Sequence, residues 1–132
     1  MILDTSAVLA ILQDEPERRR FNEAIEAAAV VRISAATLVE ASMVVEARFG
    51  AEGLRAFDRL LELASVETEA FDLVQARAAR DAFSRYGKGR HPAGLNLGDC
   101  FSYALARVLG EPLLYKGEDF VLTDVVAAIP SG

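Results

Sequence analysis

Met1-Ile2-Leu3-Asp4-Thr5-Ser6-Ala7-Val8 opens the chain, and the order of its residue types decides the fold. Three successive apolar residues read as a short strand buried on both faces, the pattern of a parallel sheet covered by helices on either side. The polar trio Asp4-Thr5-Ser6 brings N-cap chemistry to a helix expected over Ala7–Gln13. Asp4 therefore follows directly on a buried strand. In open α/β sheets, ligands bind beyond the carboxyl ends of the strands.

The same alternation continues along the chain. A second helix is expected after Asp14-Glu15-Pro16, with Phe21, Ala24, Ile25 and Ala28 on its apolar face. Val30–Ser34 reads as a strand, Ala35–Phe49 as a helix stopped by Gly50, and Leu54–Ala64 as another amphipathic helix. A short strand near Val66 and a helix over Glu69–Tyr86 follow. Gly87-Lys88-Gly89-Arg90-His91-Pro92-Ala93-Gly94 is a loop. Leu97–Leu109 is helical, closed by Gly110 and then Pro112, while Leu113–Tyr115 and Val125–Ile129 are strand candidates. Short aliphatic strands between helices predict one α/β domain over residues 1–132, with a central, mostly parallel sheet.

Composition bounds the function. The 132 residues are 52% hydrophobic and 26% charged, enough apolar material for one core and too much for a disordered chain. Cys100 is the one cysteine and His91 the one histidine, which excludes a disulfide framework and any Cys/His zinc site. The charge-free run Thr5–Gln13 is far too short to span a membrane, and the N-terminus lacks the basic start of a secretory signal; a cytoplasmic protein is expected. The net charge of −6 disfavours nucleic acid on the average surface. Bases nevertheless cluster at Arg85, Lys88 and Arg90, and Lys116 stands near Asp119. Arg18-Arg19-Arg20, interleaved with Glu15, Glu17 and Glu23, reads as a salt-bridged helix surface.

Four acids fall at strand ends or first helical turns: Asp4, Glu40, Asp99 and Asp119. Each has an ordinary structural explanation. Asp4 suits a helix cap; Thr37-Leu38-Val39-Glu40 and Asn96-Leu97-Gly98-Asp99 fit capping boxes; Asp119 suits a helix dipole. Their setting argues for more. Glu40 lies inside the apolar run Ala35–Val45 and Asp4 among Ile2, Leu3, Ala7 and Val8, and a buried ionised acid is costly unless paired or bound to a metal. Oxygen-only donors select Mg²⁺ or Mn²⁺.

At these residues the chain resembles PIN-domain ribonucleases, in particular the VapC toxins of bacterial toxin–antitoxin pairs. The resemblance rests on Met1–Ala7, on Ser34–Glu40 followed by Ala41-Ser42, on Asn96-Leu97-Gly98-Asp99-Cys100 and on Lys116-Gly117-Glu118-Asp119-Phe120. It implies a three-layer α/β/α sandwich and an Mg²⁺ site built from Asp4, Glu40, Asp99 and Asp119, with Thr5 and Ser6 bonding its water. It also implies a homodimer, a VapB-type antitoxin and a structured RNA substrate such as tRNA. The family's last motif places Ser or Thr after the strand and Asp two positions on, where this chain has Tyr115 and Gly117. Glu118 and Asp124 therefore stand beside Asp119 as candidates for the fourth acid. Arg85, Lys88, Arg90 and Lys116 are the expected RNA contacts, with Tyr86 available to stack on a base. Metal-promoted hydrolysis would leave 5′-phosphate and 3′-hydroxyl ends. Two rival readings use the same acids: a phosphoryl-transfer domain with Asp4 as nucleophile, and a non-catalytic acidic module that grips a basic peptide.

Overall fold

The computed structural model describes residues 1–130. Four short strands, β1 (Ile2–Leu3), β2 (Arg32–Ser34), β3 (Glu67–Glu69) and β4 (Leu113–Leu114), form one sheet in the order β3-β2-β1-β4. Every pairing is parallel, with Ile2 opposite both Arg32 and Leu113. Five helices surround the sheet: α1 (Thr5–Leu12), α2 (Arg18–Ala27), α3 (Ala35–Leu63), α4 (Leu73–Tyr86) and α5 (Leu97–Leu109), with a 3₁₀ turn at Phe120–Leu122.

The strands show why two helical layers form. Neighbouring residues of a strand point to opposite faces. Leu3, Ile33 and Leu114 enter one core with Val8, Ile11, Phe21, Ala41, Val45 and Phe57 from α1, α2 and α3. Ile2 and Leu113 enter the other with Ala79 and Ala82 of α4 and Tyr103 and Leu105 of α5. The molecule is the expected three-layer α/β/α sandwich.

Several boundaries differ from expectation, each for a local reason. Helix α1 starts at Thr5, because Asp4 caps it directly by accepting the Ser6 amide at 3.0 Å. Helix α3 runs from Ala35 to Leu63 but is broken at Gly50, whose φ of 67° and ψ of −157° are non-helical; the expected stop is thus a kink between two helical segments. Residues 67–69 pair with β2, so α4 begins only at Leu73, after the Asp72 cap. The Val125–Ile129 strand is not formed. That segment meets β4 through Leu113 alone, whose amide donates to Val126 O and whose carbonyl accepts from Ala128 N, both at 2.8 Å. Two residues of β4 leave no room for a longer ladder. Leu54, Phe57 and Leu61 all pack into the first core. Among the described residues, no helix is long and apolar enough to cross a membrane.

Candidate active site

The sheet order reverses between β1 and β4, which makes their carboxyl ends the switch point of the fold. Asp4 ends β1 there and is 3% exposed. Three hydrogen bonds hold its carboxylate. Oδ2 accepts from Ser6 N at 3.0 Å and Ser6 Oγ at 2.5 Å, and Oδ1 accepts from Ser102 Oγ at 2.5 Å. The segment after β4 is tied to the same group, since Lys116 N donates to Ser6 Oγ at 3.0 Å. Burial nevertheless outweighs these bonds and raises the Asp4 pKa.

Glu40 does not close the capping box expected with Thr37. Ser34 caps α3 by accepting the Ala36 amide, and Thr37 is turned inward and wholly buried. Glu40, one turn further on, instead accepts the Thr5 hydroxyl on Oε1 at 2.6 Å. Its carboxylate lies flat against Gly98, where a Cβ would fall 1.6 Å from Oε2. Only glycine leaves that space.

Asp99 does form the expected box: its amide donates to Asn96 Oδ1 at 2.9 Å, and its Oδ2 accepts from Asn96 N at 3.0 Å. A cap alone does not account for its electrostatics. Burial, followed by the charges of Asp4, Asp119 and Glu40, pushes the Asp99 carboxyl up to about 7 against the Asn96 amide bond. These are the three other candidate acids, each acting on Asp99. Asp119 is exposed, at the start of the 3₁₀ turn, with no cap bond from its side chain. Asp124, the alternative fourth acid, is committed elsewhere: it accepts from Tyr103 Oη at 2.5 Å and Arg107 Nη1 at 3.0 Å and pairs with Arg85 at 3.5 Å. Those partners hold its carboxyl below the usual range, the Tyr103 bond foremost. Glu118 is exposed.

Among the described residues, no three acidic or imidazole groups lie close enough together to enclose a metal ion. Uncompensated carboxylates repel, and here each of the three inner ones has taken a protein donor: Ser6 and Ser102 for Asp4, Thr5 for Glu40, Asn96 for Asp99. The chemistry of the set still fits a hard cation. It is all oxygen, includes a buried acid, and raises the proton affinity of Asp99, the response of a site that lacks positive charge.

The four expected RNA contacts divide. Lys116 Nζ is ion-paired with Glu15 and with Glu17. Arg85 pairs with Asp81 and Asp124, bonds the Tyr86 hydroxyl and lies 4.8 Å from that ring's centroid. Lys88 and Arg90 are exposed, and among the described residues neither has a carboxylate at ion-pair distance. Their loop is pinched shut by Lys88 N to Leu95 O and Leu95 N to Tyr86 O, and anchored by buried Ala93 and Leu95. Tyr86 packs edge-on to His91 and beside Tyr103 rather than standing free. Burial pushes the Cys100 thiol up to about 11, which leaves it unreactive.

Sequence reasoning missed Ser102, Thr37 and Gly98. Ser102 carries a faint signal, a hydroxyl one turn after Asp99 in the otherwise apolar stretch Cys100–Ala106. Thr37 and Gly98 stand inside the two expected capping boxes, but what each does is set by partners across the fold.

The PIN-domain family model matches residues 1–126. The chain is 55% identical over 127 residues to "Ribonuclease VapC" of Mycolicibacterium smegmatis, covering 96% of this chain and 98% of that protein. This chain belongs to the VapC ribonucleases of the PIN-domain family. VapC ribonuclease Mb0640 of Mycobacterium bovis is 52% identical over 131 residues, 98% of this chain and the whole of that protein. Among solved structures, the sarcin–ricin-loop-cleaving toxin VapC20 of Mycobacterium tuberculosis superposes with a TM-score of 0.78 at 19% identity over 98% of both chains. A toxin–antitoxin complex from Klebsiella pneumoniae gives 0.68 at 19% identity over 97% of both. Membership in the VapC ribonucleases sets aside the phosphoryl-transfer and peptide-gripping readings. VapC ribonucleases are metal-dependent enzymes.

Proposed function

We propose that this VapC ribonuclease hydrolyses a structured RNA, with tRNA as the first substrate class to test, through an Mg²⁺ site at the carboxyl ends of β1 and β4. The observation that carries the reading is geometric: the Glu40 carboxylate accepts the Thr5 hydroxyl beside buried Asp4 and lies against Gly98 beside Asp99, which brings three acids to the end of β1. Burial with the neighbouring acids pushes the Asp99 carboxyl up to about 7. A divalent cation would offset the carboxylate charges of Asp4, Asp119 and Glu40 that bear on Asp99; Mn²⁺ would serve in the place of Mg²⁺. Such an ion, when bound, acidifies water and offsets the charge that builds on phosphate. Asp4 and Asp99 are the carboxylates assigned to hold it. Glu40, with Oε1 occupied by Thr5, has Oε2 left to accept a proton from the attacking water. Asp119 has a carboxylate free of cap bonds and serves to orient that water.

Lys88 and Arg90 are the bases proposed to meet RNA phosphates, whereas Arg85 and Lys116 are committed to ion pairs within the fold. The sequence kinship supports a VapB-type antitoxin as partner, a homodimer as the working form and the cytoplasm as its place, where its RNA would be found.

The decisive experiment incubates the purified chain with total tRNA and, because VapC20 is a sarcin–ricin-loop-cleaving toxin, with a sarcin–ricin-loop oligonucleotide. Cleavage is expected with Mg²⁺ and not with EDTA, leaving 5′-phosphate ends, and it should be lost in Asp4→Asn and Asp99→Asn. Ends bearing 2′,3′-cyclic phosphate, or cleavage that persists in EDTA, would overturn the mechanism.

A further inference from the structure

The buried hydroxyl of Ser102 belongs to none of the roles assigned so far. It is fully buried on α5, 98 positions from Asp4 in the chain, and donates to Asp4 Oδ1 at 2.5 Å. Behind it lies the Thr37 hydroxyl of α3, also fully buried, at 3.4 Å. A serine hydroxyl has one proton to give and two lone pairs to accept with. Since Ser102 spends its proton on Asp4, Thr37 is the donor to Ser102. A relay therefore runs Thr37 to Ser102 to Asp4, crossing from α3 to α5 to the end of β1.

The two oxygens of Asp4 are not equivalent as a result. Oδ2 accepts from both Ser6 N and Ser6 Oγ, two donors for its two lone pairs. Oδ1 accepts from Ser102 alone and keeps one position open. Without Ser102 the carboxylate is held through Oδ2 only, by Ser6 two positions on, and can turn about its own bond.

We propose that Ser102, backed by Thr37, is a positioning residue that fixes the carboxylate plane of Asp4 and leaves Oδ1 as the single oxygen open to a divalent cation. The proposal rests on the metal-site reading above and adds to it a residue outside the acidic set. Partners that orient a ligating group from behind typically account for 10- to 100-fold in metal affinity.

The test is calorimetric titration of the RNA-free protein with Mn²⁺, run beside melts in EDTA, for the native chain, Asp4→Asn, Ser102→Ala and Thr37→Val. Ser102→Ala is expected to weaken Mn²⁺ binding roughly tenfold or more, and Thr37→Val, which keeps Ser102 in place, to weaken it by less. The KM for RNA at saturating metal should stay at the native value in both. Native Mn²⁺ affinity in a folded Ser102→Ala variant would overturn the proposal, because a merely structural serine lowers the melting temperature and spares the metal. If Ser102→Ala does not fold, Thr37→Val decides by the same criterion. Failure of the underlying reading looks different: the native chain would not bind Mn²⁺, or Asp4→Asn would bind it equally well.

Discussion

Gly98 occupies the position on which the Glu40 carboxylate rests, and a methyl group there would fall 1.6 Å from Oε2. Gly98→Ala must therefore push Glu40 off the Thr5 hydroxyl. The expected outcome is a roughly 10- to 100-fold loss of RNA cleavage, in the range typical of misplaced supporting groups, with a melting temperature near that of the native protein. Activity assays beside melts would check it. Asp99 makes a second prediction at this scale. Its folded pKa of about 7 lies above the ordinary 3.8, so the folded state binds a proton over that window that the unfolded state releases. The stability Asp99 contributes without metal is thus fully present below about 3.8 and lost as pH rises through about 7. Melts in EDTA of Asp99→Asn against the native chain should show the variant gaining relative stability across that interval. Equal pH profiles would refute the raised value. Asp4, Asp99 and Asp119 were all legible as candidates from their places after strands or in first turns. The Thr5–Glu40 bond was not, because its partners are 35 positions apart and the local pattern pointed to a cap instead.

At the scale of elements, α3 depends on one residue. Thr37, Ala41 and Val45 form a buried stripe at four-residue spacing, the mark of a helix packed along a core. Gly50 then takes φ 67° and ψ −157°, a region open essentially to glycine, and Phe57 of the second segment is delivered to the same core. No atom lies within 4 Å of the place a Cβ would occupy there, so the cost of a side chain is backbone strain alone. Gly50→Ala is expected to destabilise by about 1–3 kcal/mol in urea unfolding. Its cleavage rate at a temperature where it stays folded should be native. Helix α5 was readable end to end, from the Asn96 cap to Gly110 at φ 65°, because both signals are local. Strand β3 was harder to see. Glu67-Thr68-Glu69 is largely exposed and polar, and only pairing with β2 makes it a strand.

For the whole molecule, the net charge of −6 is unfavourable to a polyanionic substrate, and the proposed RNA surface is a pair of bases with no carboxylate partner among the described residues. Lys88 and Arg90 are exposed on a loop closed at its base by Leu95 N to Tyr86 O and Lys88 N to Leu95 O, with the Arg90 guanidinium 5.5 Å from the centroid of the Phe83 ring. The double variant Lys88→Glu, Arg90→Glu is expected to raise the KM for RNA several-fold and flatten its salt dependence, with kcat little changed. Lys116→Ala should behave in the opposite way. Its ammonium bridges the start of the segment after β4 to Glu15 and Glu17, so the variant should lose stability and keep its salt dependence. Salt titrations of cleavage together with melts distinguish the two. Equal effects of both variants on KM would return Lys116 to the RNA surface. Composition showed the basic cluster but could not sort it, since an arginine and the aspartate that neutralises it need not be neighbours in the chain. Arg85 and Asp124 are an example, 3.5 Å apart.

The order of apolar runs, caps and glycines determined by itself an α/β chain with a central, mostly parallel sheet and acids at strand ends or in first helical turns. Those signals are local: periodicity, helix-terminus chemistry and positive φ act within a few residues. Only the tertiary structure decided which oxygen meets which. The sheet order places β1 beside β4 and α5, bringing Ser102 to Asp4, Glu40 to Thr5 and the Asp4, Glu40 and Asp119 charges to bear on Asp99, while it draws Asp124 away to Tyr103 and Arg107. Hydrogen bonds and carboxylate repulsion act over a few ångströms of space, and distance along the chain carries no record of them.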